Sequence, residues 1–152
     1  MKIVEFLRPD AVLADLSGAS GTAALAELCG PLAAAHRIAP QKLLDTLLER
    51  EKLGSTGIGD GVAIPHGKVP GLPGLIACFG RAPGGVDFRA IDGKPTYLFF
   101  ALFAPENSAG AHLKALARIS RIFKNPGFRE TILTAPDAAS IFRLIEAEDG
   151  KY

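Results

Sequence analysis

The chain carries only three histidines, and their surroundings differ. His66 follows the apolar stretch Val62-Ala63-Ile64 and stands between Pro65 and Gly67. A histidine at the end of a short buried strand, flanked by a rigid residue and a minimal one, has room around its ring to meet another macromolecule. Neutral imidazole is a competent nucleophile near neutral pH, because a histidine side chain ordinarily titrates near ~6.5. Attack on phosphorus by one ring nitrogen needs the other held as N–H. It also needs fixed positive charge or N–H donors around the three phosphoryl oxygens. Gly67 and Lys68 offer backbone N–H groups, and Arg50 offers a planar guanidinium suited to phosphate oxygens. His112 falls in the first turn of a predicted helix, on one face with Ala115, Ile119 and Ile122. Taken alone it reads as a satisfied core or surface histidine; beside His66 it becomes a hydrogen-bond donor for a phosphoryl group. His36, next to Arg37 at the end of a predicted helix, reads as a solvated group favourable to the helix dipole.

Other chemistries fit less well. Gly57-x-Gly59-x-Gly61 lacks the strand-then-helix setting of a dinucleotide fingerprint, and no Gly-Lys-Ser/Thr phosphate loop exists. A metal held by His66 and His112 with Asp60 or Asp92 finds no support in ligand spacing. Ser55 and Thr56 lack a Gly-x-Ser-x-Gly elbow, so a Ser/His hydrolase is disfavoured and the pair reads as a helix-to-turn cap.

The elements that must position these residues follow from the rest of the chain. Its 152 residues suffice for one domain, taken as 1–152, with a continuous core. Composition is ordinary for a globular protein, with 48% hydrophobic and 22% charged residues. The 17 basic and 16 acidic residues nearly cancel without a basic run, which argues against nucleic-acid binding. The longest apolar run, Tyr97 to Ala104, is too short to cross a bilayer, and the first residues show no signal-peptide pattern. Cys29 and Cys78, far apart in sequence, read as buried free thiols in a reducing compartment. The expected location is the cytoplasm.

Hydrophobic periodicity predicts a short strand over Val12 to Leu16, then a helix from Thr22 with Leu25, Leu28, Cys29 and Leu32 on one face. Pro40 suits the first turn of a second helix carrying Leu43, Leu44, Leu47 and Leu48, with Gly54 at the expected C-cap. Strands are predicted at Val62 to Ile64 and Leu75 to Phe79. Val86 to Ile91 and Thr96 to Ala104 are expected to pair antiparallel across Asp92-Gly93. Leu113, Leu116, Ala117 and Phe123 mark a later helix that Asn125-Pro126 punctuates, and Pro136-Asp137 opens a last one with Ile141, Leu144 and Ile145. Helices before and after a block of strands suggest an α/β sandwich with a mixed sheet.

Residues 50–68 read Arg-Glu-Lys-Leu-Gly-Ser-Thr-Gly-Ile-Gly-Asp-Gly-Val-Ala-Ile-Pro-His-Gly-Lys. This resembles the phosphorylation-site signature of the mannitol/fructose class of enzyme IIA domains of the bacterial phosphotransferase system. The segment from Asp92 to Leu113, with its apolar strand, Ala-Pro-Glu and Ala-His-Leu, is similar to the second block of that class. The resemblance implies that His66 is the phosphoryl acceptor, that His112 lies beside it in support, and that Arg50 supports the site. It implies an α/β fold with a mixed sheet of about five strands and helices on both faces, as in mannitol-class IIA domains. It also implies a phosphotransferase component that relays phosphoryl through a phosphohistidine, with an HPr-type phosphocarrier protein as donor. No metal or cofactor is expected, since the donor is itself a phosphoprotein. Gly-Ser-Thr-Gly-Ile-Gly before the site looks like the nitrogen-regulatory branch, whose partners are regulatory protein targets. The alternative is a sugar-specific (fructose or mannitol) subunit passing phosphoryl to a IIB domain. Which ring nitrogen of His66 reacts is left open by the sequence.

Overall fold

The apolar run from Tyr97 to Ala104 lies in the central strand, Thr96–Ala104, of the protein in the computed structural model, which describes residues 1–152. The chain opens with a 3-10 turn, Ile3–Glu5, then β1 (Leu7–Leu13), α1 (Gly21–His36) and α2 (Pro40–Glu51). Three short strands follow: β2 (Gly57–Gly59), β3 (Val62–Ala63) and β4 (His66–Lys68). Two long strands, β5 (Ile76–Val86) and β6 (Thr96–Ala104), precede α3 (Ala109–Phe123), α4 (Pro126–Thr134) and α5 (Ala138–Asp149).

Strand side chains alternate between faces, and β6 is apolar on both. Leu98, Phe100 and Leu102 join Ile119, Ile122, Phe123, Ile141 and Ile145 in one core. Phe99, Ala101 and Phe103 join Leu25, Leu28, Leu32, Leu43 and Leu47 in the other. Burying each large apolar side chain contributes about 1.5–3 kcal/mol. A one-residue slip of β6 would exchange the contents of the two cores, so its register is fixed from both sides. The sheet is mixed and six-stranded, in the order β1-β5-β6-β3-β2, with β4 also paired to β6. β5 runs antiparallel to β6, whereas β3 and β4 run parallel to it. β3 and β4 thus lie end to end along one edge of β6, at Val62↔Leu98 and His66↔Leu102, separated by Ile64-Pro65. This is the expected mixed sheet with helices on both faces.

Most helix starts stand where their local chemistry puts them. Ser20 caps α1 by accepting the Ala23 N–H, Pro40 opens α2, and Asp137 caps α5 by accepting the Ser140 N–H. Four expectations need correction. Only Val12 and Leu13 of the predicted first strand are in β1, which begins earlier at Leu7. Arg8, Pro9 and Asp10 are exposed, the pairing with β5 shifts register between Leu7 and Val12, and proline is tolerated because β1 is an edge strand. Second, the antiparallel partner of β6 is Ile76–Val86, not Val86–Ile91. Ala82-Pro83-Gly84-Gly85, a turn-like string, lies inside β5 at an irregularity between Arg81 and Val86, where a Cβ on Gly85 would stand 2.9 Å from the Tyr97 ring. Third, Gly54 does not cap α2, which ends at Glu51 with Lys52 still right-handed; Gly54 sits in the turn beyond, at φ +135°. Fourth, Asn125-Pro126 starts a helix as well as ending one. Asn125 accepts the N–H groups of Gly127 and Phe128, and Pro126 is the first residue of α4.

α3 is helical as predicted, but Leu113 points outward at 68% exposure while His112 faces inward. No helix is long and apolar enough to cross a membrane.

Candidate functional site

β6 holds His66 through a parallel ladder. Leu102 donates its N–H to the Pro65 carbonyl at 2.9 Å, and Val69 donates to Ala104 at 2.9 Å. N–H groups of alternate residues face the partner strand. Gly67, like Val69, therefore turns its N–H toward β6, leaving those of His66 and Lys68 on the free side. Of the two backbone donors expected from the sequence, Lys68 remains available and Gly67 does not. The His66 ring is half-buried, with Nδ1 2.8 Å from the Ile64 carbonyl oxygen. A carbonyl only accepts, so Nδ1 carries the hydrogen and Nε2 holds the lone pair. This is the tautomer a nucleophilic Nε2 requires.

His112 reaches the same place from α3. The two imidazoles are 5.5 Å apart between centroids, with planes 77° from parallel. His112 is buried, and its Nε2 has no hydrogen-bond partner in the protein. An unpaired buried polar nitrogen is costly, and it stands beside the ring of His66. Burial first, and then the neighbouring His66 and Lys68, hold the His112 pKa below its ordinary 6.5. As pH falls below 6.5 the unfolded chain takes up the His112 proton before the folded protein does. Stability is therefore lost as pH drops toward the folded-state value, below which the loss is complete. Denaturant midpoints between pH 7.5 and 5 should fall less steeply for His112→Gln than for the parent chain; identical slopes would remove this assignment.

Arg50 lies in the last turn of α2, the helix that packs on β4, and donates from Nη1 to the Gly54 carbonyl at 2.9 Å. It lines an open cleft together with Lys42, Thr46, Gly67 and Lys68. The structure thus brings Arg50 to the far side of Gly67 and Lys68, and His112 to His66 itself. The glycine has a packing reason that the sequence does not reveal. A Cβ on Gly67 would stand 2.4 Å from Cγ2 of Thr46, whose hydroxyl is tied to the Lys42 carbonyl at 2.8 Å. α2 can approach β4 this closely only across a residue without a side chain. The Ile64 carbonyl and Thr46 were both outside the sequence-derived site. No side-chain pattern marks a backbone carbonyl, and Thr46 is an unremarked helix position.

The remaining candidates are occupied elsewhere. His36 ends α1 near Asp10 of β1. Asp92 accepts the N–H groups of Lys94 and Asp60 at 3.0 Å each, and these bonds hold its pKa below the usual carboxylate range. Ser55 donates to the Phe88 carbonyl and Thr56 to the Glu51 carboxylate. Gly57 and Gly59 are buried rather than open, with Gly57 packed against Ala90. No group of three or more His, Cys, Asp or Glu side chains could hold a metal ion. Cys29 and Cys78 are free and buried, and burial pushes the Cys29 thiol up to about 12.

With this geometry in place, residues 5–148 match the model of the family described as phosphoenolpyruvate-dependent sugar phosphotransferase system, EIIA 2. The chain belongs to that family. Among its relatives, a nitrogen regulatory protein of Bradyrhizobium diazoefficiens is 39% identical over 145 residues, covering 95% of each chain. The fructose-specific EIIABC component of Bacillus subtilis is 32% identical over 150 residues, which are 98% of this chain and 24% of that one. The crystal structure of the nitrogen regulatory protein IIA-Ntr from Neisseria meningitidis superposes with a TM-score of 0.88 at 34% identity, covering 94% of this chain and 98% of the other. As an EIIA 2 member, the protein is a component of a phosphotransferase system.

Proposed function

We propose that this EIIA 2 protein is a phosphohistidine carrier working mainly as a nitrogen-type regulator, with Nε2 of His66 as the phosphoryl acceptor. The observation that carries the reading is the His66 Nδ1–H bond to the Ile64 carbonyl, which leaves the Nε2 lone pair free on the half-buried ring. The donor is an HPr-type phosphocarrier. Nε2 attacks phosphorus in line as the donor's P–N bond breaks, and the donor's imidazole leaves with the bonding pair. Both bonds are phosphoramidates, so little free energy separates the two sides. Nε2 of His112 in its N–H form donates to a phosphoryl oxygen. Arg50, Lys68 and the free Lys68 N–H supply positive potential. The protein works in the cytoplasm, where such a donor is met.

Regulation follows from charge. A phosphoryl group adds about −1.5 to −2 charges by analogy with other phosphorylated side chains, enough to expel an acidic or apolar partner from this face. A nitrogen regulatory protein matched over 95% of its own length favours this role. A second reading, a sugar-specific subunit feeding a IIB domain, is favoured by the match to the fructose-specific EIIABC component. Two measurements test the proposal. Labelling with a phosphorylated HPr-type carrier and mapping should place one phosphoryl group on Nε2 of His66; a label on another residue overturns the acceptor assignment. Calorimetry of the two forms against cytoplasmic regulatory proteins should give tight binding to one form only. Equal affinities, with fast transfer to a purified IIB domain, would establish the sugar-transport role instead.

A further inference from the structure

The carbonyl that selects the His66 tautomer belongs to Ile64, in the gap between β3 and β4 where the sheet ladder is interrupted. What fixes that peptide lies outside the sheet. Ile64 gives its own N–H to the Thr56 carbonyl at 3.0 Å. Thr56 is buried, and both of its donors go to one carboxylate. Its N–H reaches Oε1 of Glu51 at 3.0 Å, and its hydroxyl reaches Oε2 at 2.5 Å. Glu51 is the final residue of α2, half-buried, and its backbone is set by the helix. An unbroken path of hydrogen bonds therefore runs from the end of α2 to the ring: Glu51 to Thr56, Thr56 to Ile64, Ile64 to Nδ1 of His66.

We propose that Glu51 is a positioning residue for His66, fixing its tautomer through Thr56 and the Ile64 carbonyl. The proposal rests on the reading of His66 as phosphoryl acceptor, but its first consequence is visible without any transfer. Hydrogen bonds to an ionised carboxylate are shorter and stronger than neutral ones, so Glu51 holds Thr56 more firmly than a neutral acceptor would. Both carboxylate oxygens are used, each by a different donor of the same residue. That geometry fixes Thr56 in rotation as well as position. A wandering Ile64 carbonyl would let the imidazole proton move to Nε2, where it blocks the nucleophilic lone pair. Glu51 stands beside Arg50, yet the two residues act differently. Arg50 turns to the Gly54 carbonyl and the open cleft, and Glu51 turns inward.

The test uses the full chain with nitrogen-15-labelled histidine, read by NMR at pH 8. The His66 ring of the parent protein should be predominantly Nδ1–H. In Thr56→Val, which removes the hydroxyl at nearly constant volume, and in Glu51→Gln, which removes the charge, the Nδ1–H fraction should fall. Phosphoryl uptake from a phosphorylated HPr-type carrier should drop about tenfold in each, beyond any loss of folded protein measured on the same samples. Thr56→Ser keeps the hydroxyl and should restore both readouts. An unchanged tautomer in the folded Thr56→Val and Glu51→Gln proteins would overturn the proposal and leave Glu51 as a turn anchor. A shifted tautomer together with no labelling of the parent protein would support the positioning path and overturn only the phosphoryl reading.

Discussion

His66→Ala should take up no phosphoryl group from a phosphorylated HPr-type carrier, while His36→Ala is labelled as fully as the parent chain. The difference is all-or-none because the substitution removes the atom proposed to bond phosphorus. His36 sits at the end of α1 near Asp10, on a different side of the sheet. No other imidazole can replace His66: the neighbouring His112 is buried and lacks the carbonyl partner that gives His66 its tautomer. Alanine at His112 or at Arg50 should act differently. His112→Ala loses the hydrogen bond proposed to reach the phosphoryl group, and Arg50→Ala loses a positive charge across Gly67 and Lys68 from it. Each should cost about 1–3 kcal/mol, or roughly ten- to a hundredfold in transfer rate or phosphoprotein lifetime. Rapid-quench labelling of the three variants separates these outcomes. A fully labelled His66→Ala protein would end the acceptor assignment, and unchanged rates in the other two would leave them as scaffold.

The second large effect concerns stability. Arg81 of β5 is only 6% exposed, and none of the ion pairs in the protein includes it. Two of its guanidinium nitrogens donate to backbone carbonyls. Nε donates to Ala14 at 2.9 Å, and Nη1 donates to Ile132 at 3.0 Å and Ala135 at 2.6 Å. The latter two lie at the C-terminal end of α4, where the helix dipole is negative and the last carbonyls have no helical partner. Arg81→Met fills similar space but strands these acceptors. Charge-assisted hydrogen bonds contribute about 1.5–3 kcal/mol apiece, and they are not additive here because they share one group. A net loss of about 3 kcal/mol is expected, equivalent to roughly 6–12 °C in Tm for a chain of this size. Arg81→Lys, with one ammonium for several carbonyls, should fall between. Thermal unfolding followed by circular dichroism decides the matter, and a Tm within a degree or two of the parent protein would contradict it.

What the sequence disclosed, and what it hid, both have physical reasons. The central strand was legible because, covered on both faces, it carries the uninterrupted apolar run from Tyr97 to Ala104. α1, α2 and α5 were legible from apolar spacing and from Pro40 and Asp137 at their starts. The extent of β5 was concealed by Ala82-Pro83-Gly84-Gly85, which has turn composition yet lies in a bulged strand against the Tyr97 ring. β1 was concealed because an exposed Arg8-Pro9-Asp10 edge carries no alternation. At the site, the type and neighbours of His66 were readable locally. Its approach to His112 depends on β4 and α3 meeting around β6 and follows from no spacing rule; only the resemblance of the two motif blocks indicated it. The Ile64 carbonyl, the Glu51–Thr56 bonds and the contact between Gly67 and Thr46 had no sequence signal. They are properties of where the backbone goes.

The two ends of the chain are tied to each other. The Lys2 ammonium donates to the carbonyls of Asp149 and Tyr152, and Ile3 gives its N–H to the buried Asp149 carboxylate, which Arg118 also binds. They meet beside β1, against which the opening 3-10 turn and α5 pack. β1 is three strand spacings from β4, roughly 14 Å across the sheet. Chain attached at either end thus leaves from the side away from His66, and attachments at both ends leave side by side. The fold can be inserted into a longer polypeptide as a loop is inserted into a domain, without stretching any strand and without covering the His66 ring. Such modularity gives one histidine scaffold two settings: a free diffusing protein, or a segment whose local concentration toward its neighbours is set by a tether.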